Sequence, residues 1–137
     1  MTETEKGEIR KKEFTYRGNT VDELKKLDVR EFAKYVKSRA RRSILRQFQN
    51  IEDFVSRAKM KTEKDKPIRT HQRDLVIVPE MVGMKISVHD GRNFIPVQIT
   101  GDMLGHRLGE FAMTRGKVKH SKAGIGATKG SKFKAKK

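Results

Sequence analysis

Residues 84–99 read Met84-Lys85-Ile86-Ser87-Val88-His89-Asp90-Gly91-Arg92-Asn93-Phe94-Ile95-Pro96-Val97-Gln98-Ile99, and this stretch decides the fold. Met84, Ile86 and Val88 alternate with Lys85, Ser87 and His89, the period of two of a strand with one face in a core. Asp90-Gly91 supplies a turn in which glycine accepts a positive φ, and Phe94 to Ile99 returns as an antiparallel partner. Pro96 has no N–H to give to a neighbouring strand, which marks an edge or a bulge.

Upstream, Leu75-Val76-Ile77-Val78 is a short β-branched run that reads as a further strand. Downstream, Asp102 can open a helix in which Leu104, Leu108 and Phe111 fall at i, i+4 and i+7 and cover one face of the sheet. Asp28-Val29-Arg30-Glu31 has the form of a capping box, so a short helix starts there, with Phe32, Ala33, Tyr35 and Val36 behind it. Ile44, Phe48, Ile51, Val55 and Ala58 recur every three to four residues and predict an amphipathic helix over about 46–60. From Met60 onward the chain is Lys-rich, and Pro67 cannot continue a helix, so a basic loop is expected through Arg73. The expected class is α+β, a small three-stranded antiparallel sheet packed with helices. Residues 28–114 would form this core, 1–27 an N-terminal extension and 115–137 a basic tail.

Charge separates core from extensions. The 137 residues hold 33 Lys and Arg against 17 Asp and Glu, a net charge of +16. Residues 74–114 hold 3 basic and 5 acidic groups, whereas 57–73 hold 7 and 2, and 115–137 hold 9 and none. A near-neutral core flanked by cationic extensions suits a polyanionic partner, because each Lys or Arg that meets a phosphate releases a condensed counterion. Tail residues beyond Thr114 are mostly Lys, Gly, Ser, Ala and Thr, too apolar-poor to offset about 1–2 kcal/mol per residue of backbone ordering. That tail, like the N-terminal extension, is expected to order only on its partner. The run Lys37, Arg39, Arg41, Arg42 and Arg46 contains no acid, so its self-repulsion calls for nearby anions. Arginine suits phosphate because its planar fork bridges two oxygens.

Composition also excludes. A chain this short has apolar material for one small core, not for a large catalytic fold. Without cysteine there is no disulfide framework or thiolate metal site, which fits a reducing intracellular compartment. No window approaches the ~18–20 apolar residues that span a bilayer, and the polar N-terminus lacks the apolar stretch of a signal peptide. The expected location is cytoplasmic, with no membrane partner. Gly124-Ile125-Gly126-Ala127-Thr128-Lys129-Gly130-Ser131 fails the spacing of a phosphate-binding Walker loop and reads instead as flexible backbone that approaches phosphates closely. His71, His89, His106 and His120 share no i, i+4 spacing and have no Cys beside them, so no metal or other cofactor is expected. His106 and Glu110 stand one helical turn apart and read as a surface pair, not an acid/base couple. Gly105 and Gly109 would share a helix face, for tight packing on the sheet or for close approach of RNA or protein. No catalytic residue is expected.

One spaced pattern is specific: Asp90-Gly91-Arg92, six residues, Ile99, four residues, Leu104-Gly105, two residues, Leu108-Gly109-Glu110-Phe111, two residues, Thr114. It resembles the signature of the S-nineteen family of small-subunit ribosomal proteins, called S-fifteen in eukaryotes. Pro67-Ile68-Arg69-Thr70-His71 and Pro79-Glu80-Met81-Val82-Gly83-Met84 support the resemblance, which covers about residues 39–137. Phe14-Thr15-Tyr16-Arg17-Gly18, Val118-Lys119-His120 and Gly124-Ile125-Gly126-Ala127-Thr128 are similar to archaeal and eukaryotic members rather than bacterial ones.

The resemblance implies a non-enzymatic component of the small-subunit head, bound to small-subunit ribosomal RNA beside the S-thirteen protein. Its tail would reach toward the tRNA-bearing decoding region. It implies RNA contacts at Arg39, Arg41, Arg42, Lys61, Arg69, His71, Arg73, Lys85, Arg92, His106, Lys117, Lys119, His120 and Lys122. Arg46, Lys129 and Lys132 join them on charge. A free-standing architectural DNA- or RNA-binding protein is the alternative that composition alone leaves open.

Overall fold

The structure is a computed structural model that describes residues 14–117. Its first elements are a two-residue hairpin, β1 (Thr15–Tyr16) and β2 (Asn19–Thr20), and a short helix α1 (Val21–Lys25). Thr20 caps α1: its hydroxyl accepts from the Glu23 N–H at 3.4 Å, and the Glu23 carboxylate accepts from the Thr20 N–H at 2.8 Å. These hydrogen bonds hold the Glu23 carboxyl below its ordinary value. The predicted box at Asp28 starts a helix, α2 (Val29–Phe32), but the Asp28 side chain makes no capping hydrogen bond. A 3-10 turn, Ala33–Tyr35, follows.

The longest element is α3 (Ser38–Glu63), which extends the predicted helix by about two turns at its N-terminal end. Ile44, Ile51, Phe54, Val55 and Ala58 form its buried stripe, so the apolar periodicity is where the sequence places it. The helix is not regular throughout: Gln47 has non-helical angles (φ −114°, ψ 19°) and donates its side-chain amide to Asp74 at 2.8 Å.

A three-stranded sheet completes the core: β3 (Ile68–Thr70), β4 (Lys85–His89) and β5 (Phe94–Gln98), in that spatial order. The expected hairpin is β4–β5, antiparallel in the register Lys85–Gln98 to His89–Phe94, and Pro96 lies on the edge strand. The third strand corrects the sequence reading. It comes from Ile68–Thr70, which reads as loop, and it runs parallel to β4, so the sheet is mixed rather than antiparallel.

Leu75–Val78 is buried but stands outside the sheet, because its backbone pairs elsewhere. The Ile77 N–H donates to the His106 carbonyl at 2.8 Å, and the Ile77 carbonyl accepts from the Gly105 N–H at 3.1 Å. Leu108 N–H reaches the Leu75 carbonyl at 3.0 Å, and Gly109 N–H the Arg73 carbonyl at 2.8 Å. The same pairing removes the helix predicted after Asp102: residues 101–111 form two 3-10 turns, Gly101–Met103 and Leu108–Phe111, joined by a turn at Leu104–Gly105 and a single bridge from Arg107 to Val76. Leu104 and Leu108 still enter the core, as their spacing requires.

The two glycines of this segment therefore share no helix face. Gly105 has φ +78°, and a Cβ there would stand 3.1 Å from the Tyr16 hydroxyl. At Gly109 a Cβ would meet the Arg73 carbonyl oxygen at 2.9 Å. Close packing, the first of the two sequence readings, accounts for both. One apolar cluster joins Leu24, Phe32, Ile44, Ile51, Ile77, Met81, Ile86, Ile99 and Leu108 across all these elements. Residues 14–27, read from the sequence as part of an extension that orders only on a partner, are instead folded on the core as β1, β2 and α1, because Leu24 is buried in its apolar cluster and Tyr16 and Leu27 pack against it. The rest of the expected N-terminal extension, 1–13, and residues 118–137 lie outside the described residues.

Candidate nucleic-acid interface

Helix α3 holds its basic run away from the apolar stripe. Arg39, Arg41, Arg42 and Arg46 are all exposed, and the last three, with Ser38 and Leu45, line a shallow groove of about 380 Å³. Arg39 opens instead onto a second groove of about 510 Å³, where Lys37, Arg17, His106 and Arg107 gather between the β1–β2 hairpin and residues 102–110. Asp102 and Glu110 are the carboxylates of that groove. Toward the other end of α3, Arg57 and Lys61 face Arg69, His71 and Gln72 across a cleft of about 220 Å³ floored by Phe54, Ala58 and Ile68.

Ion pairing does not neutralise these surfaces. Among the described residues two ion pairs form, Lys59 with Glu80 and His106 with Glu110, the latter at 2.7 Å. Within that same set, no arginine has a carboxylate at salt-bridge distance. Several are held in place by other means. The Arg30 guanidinium lies 3.8 Å above the Phe48 ring, Arg107 donates to the Ser43 hydroxyl at 3.2 Å, and Arg57 donates to the Asp53 carbonyl at 3.1 Å.

Arg73 differs from the rest. Its half-buried guanidinium donates to the carbonyl oxygens of His89, Gly109 (2.8 Å) and Ala112, joining the end of β4 to the last 3-10 turn. That geometry makes it a brace of the fold, and it stands apart from the exposed cations. His106 is held by Glu110 and lies edge-on to Phe111, with ring centroids 6.1 Å apart, the surface pair expected from its spacing.

Lys85 and Arg69 project from the open face of the sheet, and Arg92 stands exposed at the tip of the β4–β5 turn. The Asp90 carboxylate shapes that turn by accepting the Asn93 N–H at 2.6 Å and the Arg92 N–H at 2.7 Å, which lowers its pKa from the ordinary value. Lys117 is exposed at the end of the described chain. Lys119, His120, Lys122, Lys129 and Lys132 lie outside the described residues.

Sequence reasoning did not select Arg17, Arg57, Lys66 or Arg107, all on these surfaces. Arg17 and Arg107 stand apart from any charge run, and within the cationic stretch 57–73 charge alone does not single out Arg57 or Lys66. Nor did it find the ring cluster of His71, His89 and Phe94, which the β3–β4 register assembles. Among the described residues no three His, Cys, Asp or Glu side chains come together as a metal cluster would require, and no helix is long and apolar enough to cross a membrane.

Residues 37–120 match the family model described as Ribosomal protein S19. The chain belongs to the S-nineteen family of ribosomal proteins. Among its relatives, a protein named small ribosomal subunit protein uS19 from Halorubrum lacusprofundi is 50% identical over 127 residues, covering 89% of each chain. A protein of the same name from Methanocella arvoryzae is 48% identical over 124 residues, covering 90% of this chain and 87% of its own. Both matches reach well beyond the residues of the family model. The S-nineteen signature itself lies on the β4–β5 turn, on the segment paired with 73–77 and on the last 3-10 turn, where its backbone hydrogen bonds hold the fold together.

Proposed function

We propose that this chain is a structural constituent of the small ribosomal subunit, binding small-subunit ribosomal RNA and serving translation without catalysing a reaction. The observation that carries the reading is the set of exposed, carboxylate-free arginines on a folded S-nineteen core. Phosphate contact falls to Arg39, Arg41, Arg42, Arg46, Lys61, Arg69, Lys85, Arg92 and Lys117, whose charges stand in solvent. Lys119, His120, Lys122, Lys129 and Lys132 would extend this contact along the tail, and His71 and His106 would meet RNA at the cleft and groove edges.

RNA helices are recognised by shape and backbone, since the A-form major groove is too narrow for side chains to read. The core thus positions phosphates instead of reading a sequence. The finer placement belongs to the same proposal: the subunit head, beside the S-thirteen protein, with the tail directed toward the tRNA-bearing decoding region. Sucrose-gradient fractionation of cells producing a tagged chain at moderate salt tests it. Co-sedimentation with small subunits is expected. Recovery with bulk DNA, free of subunits, would favour an architectural protein instead.

A further inference from the structure

We propose that the open face of the β3–β4–β5 sheet is a stacking platform for unpaired nucleobases; the idea rests on the RNA-binding reading above and deepens it. The sheet has two unlike faces. Ile68, Thr70, Ile86, Val88 and Val97 are buried on one, whereas Arg69, Lys85, Pro96 and Gln98 are exposed on the other, with Ser87, His89 and Phe94 half-buried among them. Because Thr70 pairs with Val88, the next residue, His71, arrives beside His89, and His89 in turn pairs with Phe94.

Three rings consequently meet at one end of the open face. Their centroids lie 4.3 Å (His71–His89), 4.9 Å (His89–Phe94) and 5.1 Å (His71–Phe94) apart. Mutual contact accounts for the half burial of His89 and Phe94, but His71 remains exposed at the edge of the cluster. The platform is stiff: His89 Nδ1 accepts the Gly91 N–H at 3.1 Å, and the turn behind it is fixed by Asp90.

The surroundings suit a nucleotide better than an apolar peptide. The Arg69 guanidinium lies 5.5 Å from the Phe94 ring centroid, over the same face. Further along, Lys66 and Lys85 flank a groove of about 540 Å³ floored by Ser87 and Pro96, with Asp65 as its carboxylate. Aromatic rings interleaved with cations on an open sheet form the arrangement on which unstacked bases rest while phosphates meet the charges. A duplex offers no base faces to such a surface, so the platform's ligand is a single-stranded loop, bulge or end.

Stacking on an aromatic side chain contributes about 1–3 kcal/mol per base, equivalent to about 5- to 150-fold in affinity. The test compares binding of two probes, hexaadenylate and inorganic polyphosphate, to the full chain and to its H71A and H71Y variants. H71A should weaken hexaadenylate by at least about fivefold, leave polyphosphate unchanged, and be rescued by H71Y. Equal affinity of H71A and the parent chain for hexaadenylate, or equal weakening of both probes, would overturn the platform and leave phosphate binding standing. Failure of the parent chain to bind either probe would overturn the RNA-binding reading itself.

Discussion

Replacing Arg73 separates a brace from an RNA contact. Its guanidinium donates to three backbone carbonyls, those of His89, Gly109 and Ala112, from a half-buried position. One hydrogen bond from a charged donor contributes about 1.5–3 kcal/mol net. Three from one fork do not add, and water can replace part of each at a half-exposed site, so R73A should cost about 2–4 kcal/mol. At roughly 4 °C per kcal/mol for a domain of about a hundred residues, the melting temperature should fall by about 8–16 °C. R73K should recover less than half, because a tetrahedral ammonium cannot address three carbonyls as a planar fork does. Circular dichroism melts of the full chain in the absence of RNA measure this directly. A melting temperature unchanged in R73A, with a lower salt slope of RNA binding, would refute the brace and restore Arg73 to the phosphate contacts.

Four other perturbations address the surface, the tail, a packed glycine and the turn. Replacing Arg41, Arg42 and Arg46 together by Ala should reduce the slope of log affinity against log salt by about 0.7–0.9 for each phosphate left unneutralised, read by filter binding to small-subunit RNA. Ending the chain at Thr114 removes 9 basic residues and should flatten that slope further; an unchanged slope would contradict the role assigned to the tail. G109A drives a Cβ to 2.9 Å from the Arg73 carbonyl and should destabilise by about 1–3 kcal/mol, seen as a lower denaturant midpoint. The lowered pKa of Asp90 fixes the sign of its pH effect: its stabilisation is present above the ordinary value of 3.8 and is lost as pH falls through the folded value. D90A should therefore weaken the acid dependence of stability while the parent chain keeps it, as pH-resolved melts would record.

What could be read from sequence was the part governed by local rules. Alternation at Met84–His89, the Asp90-Gly91 turn and Pro96 led directly to the β4–β5 hairpin, because register over so few residues is a local matter. The stripe from Ile44 to Ala58 located α3, although its first turns carry Arg39, Arg41 and Arg42, whose solvent-facing charges give no apolar signal. The failures share a cause. Ile68–Thr70 is too short to show alternation and becomes a strand only because β4 accepts it, and Leu75–Val78, which looks like a strand, finds its partner at 105–109 instead. Helical spacing of Leu104, Leu108 and Phe111 misled because Gly105 turns to positive φ and the segment gives its N–H groups to residues 73–77. Exposed cations could be named from charge runs, but Arg73 could not be recognised as a brace, nor His71, His89 and Phe94 as one surface, without long-range register.

The parallel β3–β4 pairing also has a consequence in time. During synthesis β3 leaves the polymerising machinery first, yet Thr70 waits for Val88, eighteen residues later. At about 5–20 residues per second that delay is roughly 1–4 s. Over that interval the nascent strand has an unsatisfied edge, able to recruit a stranger's backbone. Holding it to three residues, with Pro67 just before it, keeps this vulnerable template short.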